Sequence, residues 1–156
     1  MMLNKLLPRS IDQTYDGRKL ALWLLGLLLL VKGAMGLNSI FNGYTVATTA
    51  DRIPLDTFAP AGANAVITFL AFWGLSQLIF SMLGVLALVR YRAMVPLVYV
   101  LLLVELVGRK LILIAMPIAK VSSPSFPINT ALITLLVIGL ALSLWGERKL
   151  ATGVSA

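Results

Sequence analysis

Four stretches of predominantly apolar residues, each about twenty residues long, follow one another along the chain at 20–40, 64–89, 94–117 and 128–146. At ~1.5 Å per residue, some twenty helical residues cross the ~30 Å hydrocarbon core of a bilayer. A backbone in hydrocarbon must satisfy its own hydrogen bonds, so each stretch reads as a helix. The expected fold class is therefore all-α, an integral membrane four-helix bundle. Composition agrees, with 60% of residues hydrophobic and 12% charged, where an ordinary soluble domain carries about 25% charged residues. The third stretch has the clearest ends, because Pro96 suits a first helical turn and Pro117 a stop.

Basic residues accumulate in short cytoplasmic segments, which sets an orientation. Lys5, Arg9, Arg18 and Lys19 precede the first stretch, Arg90 and Arg92 lie between the second and third, and Arg148 and Lys149 follow the fourth. The opposite connections hold only Arg52 and Lys120. Both termini are thus expected in the cytoplasm, with Trp23 and Trp145 as interfacial anchors at that side. The leader 1–19 is expected to lie along the membrane surface or to be a frayed tail, and 147–156 to be a cytoplasmic tail. The apolar run at 20–31 and the small residues Gly33, Ala34 and Gly36 resemble a signal peptide, but a long leader with Asp12 and Asp16 fits one poorly. A retained anchor is expected. The stretch 41–63, with Asn42-Gly43, Pro54, Pro60 and Gly62, reads as a turn-rich outer loop packed over the bundle.

The absent residue types exclude whole chemistries. The chain has no cysteine and no histidine, so it forms no disulfide, no thiolate or imidazole metal site and no Ser-His-Asp triad. Within the apolar stretches Glu105 is the lone acid, which removes the paired carboxylates of an intramembrane dyad or a di-iron bundle. No cofactor is expected. The net charge of +7 sits at the ends of apolar runs and not on one solvated face, so nucleic acid is not an expected partner.

A charge at bilayer depth costs roughly 2.5–3.5 kcal/mol on insertion scales, so it normally faces the protein interior and has a partner. Counted from the cytoplasmic ends, Lys32, Gln77, Glu105 and Thr134 fall at about the same depth on the four stretches. Lys32 and Glu105 are expected to neutralise each other, with Gln77 and Thr134 satisfying the remaining donors and acceptors. Arg109 stands four residues from Glu105 on one helical face and offers a second ion pair. Lys110 either joins this group or extends outward along its alkyl stem. One acid among three bases leaves room for an anionic or carbonyl-bearing ligand. Around this layer, Gly74, Gln77, Ser81 and Gly84 trace one stripe, and Gly139 with Ser143 a second, both expected at close helix contacts. The pentapeptides LLLVK at 28–32 and LLLVE at 101–105 place opposite charges in matching positions.

The chain resembles small bacterial DoxX-like membrane proteins in its four spans, in Lys32-Gly33, Trp73-Gly74-Leu75 and the Arg90-Tyr91-Arg92 turn, and in Glu105 with Arg109. The likeness implies an architecture and a bacterial cytoplasmic membrane, and it carries no site residue over. The leading expectation is a non-catalytic membrane protein whose ionic layer fixes helix packing. Such a protein would take the bilayer, a second copy or a membrane subunit, or a small lipophilic or anionic molecule as partner. The alternative is an oligomeric transporter or proton relay through Glu105. Catalysis by Glu105 and Arg109 is the weakest reading, since no nucleophile and base stand together.

Overall fold

A computed structural model of the chain describes residues 12–116 and 125–145, for 125–127 the main chain only. The leader cations Lys5 and Arg9, together with Pro117, Lys120, Arg148 and Lys149, lie outside the described residues. Four long helices dominate: α1 (Lys19–Phe41), α2 (Pro60–Arg90), α3 (Val95–Ala115) and α4 (Ser125–Leu144). No strand occurs among the described residues. Of these helices, α1 and α2 are long and apolar enough to cross a membrane by length and composition.

Pro60 stands at the start of α2 and Pro96 in the first turn of α3, where a missing N–H costs no helical hydrogen bond. The start of α2 lies four residues earlier than the sequence suggests. The expected turn-rich loop is itself largely helical: Gly43–Thr45 forms a helical turn, Val46–Ala50 a π-turn and Leu55–Thr57 a 3-10 turn. The reason is hydrophobic burial. Ala47, Ile53 and Leu55 are buried against Ala63, Val66, Ile67 and Leu70 on the first turns of α2. Arg52, in the left-handed region at φ 50°, turns the chain between Ala50 and Ile53.

Each long helix turns inward a stripe spaced three and four residues apart, the spacing of one helical face. From α1 come Ala21, Leu25, Leu28, Leu29, Lys32, Gly36 and Ser39, and from α3 Val95, Tyr99, Leu102 and Leu106. In α4 the buried positions are Leu132, Leu136, Gly139 and Ser143. The apolar core joins α1, α3 and α4. By contrast, α2 buries Gly74, Gln77, Ser81, Gly84 and Ala87, while Phe69, Phe72, Ile79, Phe80, Met82 and Leu83 are exposed. Its polar and small residues face the protein and its large apolar ones face out.

Neighbouring helices alternate in direction. Gly36 meets Gly74 while Gly26 meets Leu88 across α1 and α2, which makes that pair antiparallel. Tyr99 donates to the Ala21 carbonyl and Lys32 meets Glu105, which makes α1 and α3 parallel. One end of the molecule therefore gathers Arg18, Lys19, Arg90 and Arg92. A short strap, residues 12–18, ties this basic end together: Arg18 N–H donates to the Leu142 carbonyl at 3.2 Å and Ala93 N–H to the Asp12 carbonyl at 3.3 Å. The Tyr15 hydroxyl lies 3.2 Å from Ser143 Oγ, and burial pushes this phenol above its ordinary pKa. Residues 12–18 are thus fastened to α4 and to the turn between α2 and α3.

The tightest helix contact is the α1–α2 seam. A Cβ on Gly36 would stand 2.7 Å from the Gly74 carbonyl oxygen, and one on Gly74 would stand 2.6 Å from that of Gly36. Both obstacles are main chain, so neither can swing aside. Gly36→Ala and Gly74→Ala are each expected to lower stability by about 1–3 kcal/mol through overpacking. Gly33→Ala, with its nearest atom at 3.6 Å, and Gly108→Ala, with nothing within 4 Å, are expected to leave stability unchanged or to raise it by up to about 1 kcal/mol. Equal thermal midpoints for all four purified variants would show that the seam tolerates an added methyl.

Candidate functional site

The apolar stripe of α3 continues past Leu102 into Glu105 and Arg109, at a level where α1 supplies Lys32 and α2 supplies Gln77. These residues sit ten to thirteen positions from the basic ends of their helices for Glu105, Lys32 and Gln77, about 15–20 Å along the axes. Glu105 Oε2 accepts from Lys32 Nζ at 2.5 Å. Oε1 accepts from Gln77 Nε2 at 2.6 Å and from Arg109 Nη1 at 3.3 Å. Because an ionised carboxylate only accepts, it orients the Gln77 amide with its NH2 inward.

Burial within the cluster is graded. Side-chain exposure is 3% for Lys32, 18% for Glu105 and 30% for Arg109. Lys32 is therefore enclosed, while Arg109 forms the partly exposed edge on the side away from the basic end. The Arg109 guanidinium also lies over the Trp73 ring, 4.1 Å from its centroid, a cation–π contact. Around the cluster, Ser81 donates to the Gln77 carbonyl and Ser39 to the Met35 carbonyl. Among the described residues every buried side-chain nitrogen or oxygen has a partner.

The structure brings Lys32, Gln77, Glu105 and Arg109 together and leaves Thr134 and Lys110 outside. Thr134 is exposed and donates to the Thr130 carbonyl at 3.0 Å. Its position midway between the buried Leu132 and Leu136 puts it on the opposite face of α4, since two residues rotate a helix by about 200°. The polar layer thus spans three helices and not four. Lys110 is exposed. Trp73 is the member that sequence reasoning missed, although the register contained it. Stepping four residues from the Gln77–Glu105 contact along two antiparallel helices, toward the end away from the basic one, reaches Trp73 and Arg109.

Chemically, the cluster is an ionic lock with an excess of one positive charge. It has no nucleophile and no second acid, and no group of three metal-ligating side chains occurs among the described residues. Comparison of the chain with protein-family models, curated proteins and solved structures finds no match.

Removing one partner of a buried ion pair leaves the other charge uncompensated, at a cost of about 3–5 kcal/mol. Glu105→Gln, which strands Lys32, is expected to destabilise the purified protein by that order. Lys32→Met leaves Glu105 with Gln77 and Arg109 and is expected to cost less. The Lys32→Met/Glu105→Gln double variant is expected to be more stable than Glu105→Gln alone. Strictly additive unfolding free energies would show that the two side chains are not coupled.

Proposed function

We propose that the protein is an integral membrane protein of four spans, non-catalytic, whose Glu105-centred lock holds α1, α2 and α3 in one register. One observation carries the membrane reading. Gln77 and Ser81 of α2 are buried among glycines, while Phe69, Phe72, Ile79, Phe80, Met82 and Leu83 face outward, the reverse of a helix at a water interface. The lengths of α1 and α2 support it. Trp23 and Trp145, 80% and 71% exposed near the basic end, suit an interfacial belt. The basic residues at that end support a cytoplasmic orientation for it. The likeness to DoxX-like proteins rests on this architecture and adds a bacterial cytoplasmic membrane as the setting.

For the lock itself, closure favours a structural role over conduction. Glu105 already accepts three hydrogen bonds, and no buried polar atom among the described residues is left without a partner. Its spare positive charge and the partly exposed Arg109 suit a small anionic or lipophilic ligand, or a partner membrane subunit, approaching from the outer side.

Since the chain has no cysteine, single introduced thiols report orientation. Asp56→Cys is expected to react with a membrane-impermeant maleimide in intact cells, and Gln13→Cys only after permeabilisation. The opposite pattern would invert the orientation, and recovery of the protein from the aqueous phase without detergent would end the membrane reading. In proteoliposomes, wild type and Glu105→Gln are expected to show the same proton leak. A wild-type flux that Glu105→Gln abolishes while keeping the wild-type helix content would replace the structural role with a relay.

A further inference from the structure

The α1–α2 face carries a long groove opposite the apolar core. Near the basic end, Leu22, Trp23, Gly26, Leu27 and Leu88 line a depression of about 800 Å3, bounded by Lys19 and Arg92. A second depression of about 680 Å3 continues it past Gly33, Ala34 and Leu78. The two share Leu30, Val85 and Val89, so they form one channel along the helix pair. Among the described residues, Lys19 and Arg92 are the charged residues on its walls, and both stand at the same end.

From this geometry we infer that the groove is a seat for one anionic phospholipid, with its phosphate between Lys19 and Arg92 and an acyl chain along the α1–α2 channel. The inference rests on the membrane reading above. Charge and length both fit that occupant. From Lys19 to Leu30 the helix advances about 16 Å, close to the ~15 Å of one leaflet's hydrocarbon. The two cations fall at headgroup level, where Trp23 also lies. Arg92 Nε donates to the Leu88 carbonyl at 3.2 Å, which holds its guanidinium at the groove's mouth. The two acids of the strap, Asp12 and Asp16, do not line the groove, and Asp12 accepts from the Thr14 N–H and hydroxyl. Under the proposed orientation, this is the cytoplasmic leaflet, whose anionic lipids attract basic residues.

Glycines make the floor. A Cβ on Gly26 would meet its nearest atom, on Leu88, at 3.4 Å, and one on Gly33 would meet Ser81 at 3.6 Å. Neither glycine is required for helix contact, unlike Gly36 and Gly74. Their missing side chains leave the channel open, and a larger residue at either place would fill it.

The test is native mass spectrometry of the full chain released from nanodiscs of equal phosphatidylglycerol and phosphatidylcholine, with helix content and thermal midpoint measured alongside. Wild type is expected to retain one lipid, with phosphatidylglycerol favoured on the order of tenfold, as two cations near a headgroup imply. Lys19→Gln/Arg92→Gln, both exposed positions, is expected to keep its helix content and lose the preference. Gly26→Leu/Gly33→Leu is expected to lose the retained lipid. Retention of no lipid, of both lipids equally, or of a free fatty acid by wild type would overturn the proposal, as would an unchanged preference in the Lys19/Arg92 variant. Failure of the membrane reading is separate, since such a protein would not enter nanodiscs at all.

Discussion

The constraint on which the rest depends is the solvation of one carboxylate. Glu105 sits in a helix that is otherwise almost wholly apolar, and its charge needs partners that α3 alone cannot provide. Arg109 reaches it within the helix, but at 3.3 Å and with 30% of its own side chain exposed. The closer donors come from elsewhere, Lys32 on α1 at 2.5 Å and Gln77 on α2 at 2.6 Å. Satisfying the carboxylate therefore requires three helices at one depth and one rotation. Hydrophobic packing between leucine-rich helices fixes neither, because a leucine stripe displaced by a turn meets another leucine. A buried ion pair is weak evidence for net stability, yet here it makes one arrangement distinguishable from its neighbours.

The α1–α2 seam makes that arrangement possible. Gln77 has a shorter side chain than lysine or arginine, so α2 must lie close for it to reach Glu105. Gly36 and Gly74, whose added Cβ atoms would stand under 3 Å from the opposing carbonyl oxygens, permit that approach one turn away from the lock. Leu29 packs into the space left by Gly84 on the other side. Small residues at the contact and large ones outside suit the membrane setting proposed above, in which dispersion and polar contacts hold helices together.

Much of this was legible in the sequence because it depends on periodicity. The four long helices follow from apolar length and the start of α3 from Pro96, whereas α2 begins four residues before its expected start; the inward stripe of α2 follows from the spacing of Gly74, Gln77, Ser81 and Gly84. Counting residues from the helix ends located the depth of the polar layer. Depth says nothing about rotation, however, and Thr134 shows the difference: it falls at the chosen level and faces the wrong way. The buried Leu132, Leu136, Gly139 and Ser143 define the true inner face of α4, and only the Gly139–Ser143 pair hinted at it. Trp73 was hidden because a tryptophan in an apolar helix has no distinctive pattern until its partner's register is known. The helical turns at 43–57 were obscured by Asn, Gly and Pro, whose turn preference was overridden by the burial of Ala47, Ile53 and Leu55.

A different set of contacts holds α4, and the difference has a consequence. None of its described side chains reaches Glu105. Instead the Tyr99 ring lies where a side chain at Gly139 would be, and Tyr99 donates to the Ala21 carbonyl at 2.7 Å, tying α3 to α1 beside that contact. The strap then reaches Ser143 through Tyr15 and Leu142 through Arg18. These fastenings cluster at the basic end, whereas the ionic lock lies mid-helix. The molecule thus combines a charge contact among α1, α2 and α3 with a fourth helix held by the apolar core around Leu132 and Leu136, by the Tyr99 ring and by the strap. Exchanging the lock for apolar residues would remove the polar link from α3 to α2 while leaving the Tyr99–Ala21 bond and the contacts of α4 intact. Both devices join α1 to α3, at different levels, but the lock brings in α2 through Gln77, whereas the Tyr99 contact and the strap bring in α4.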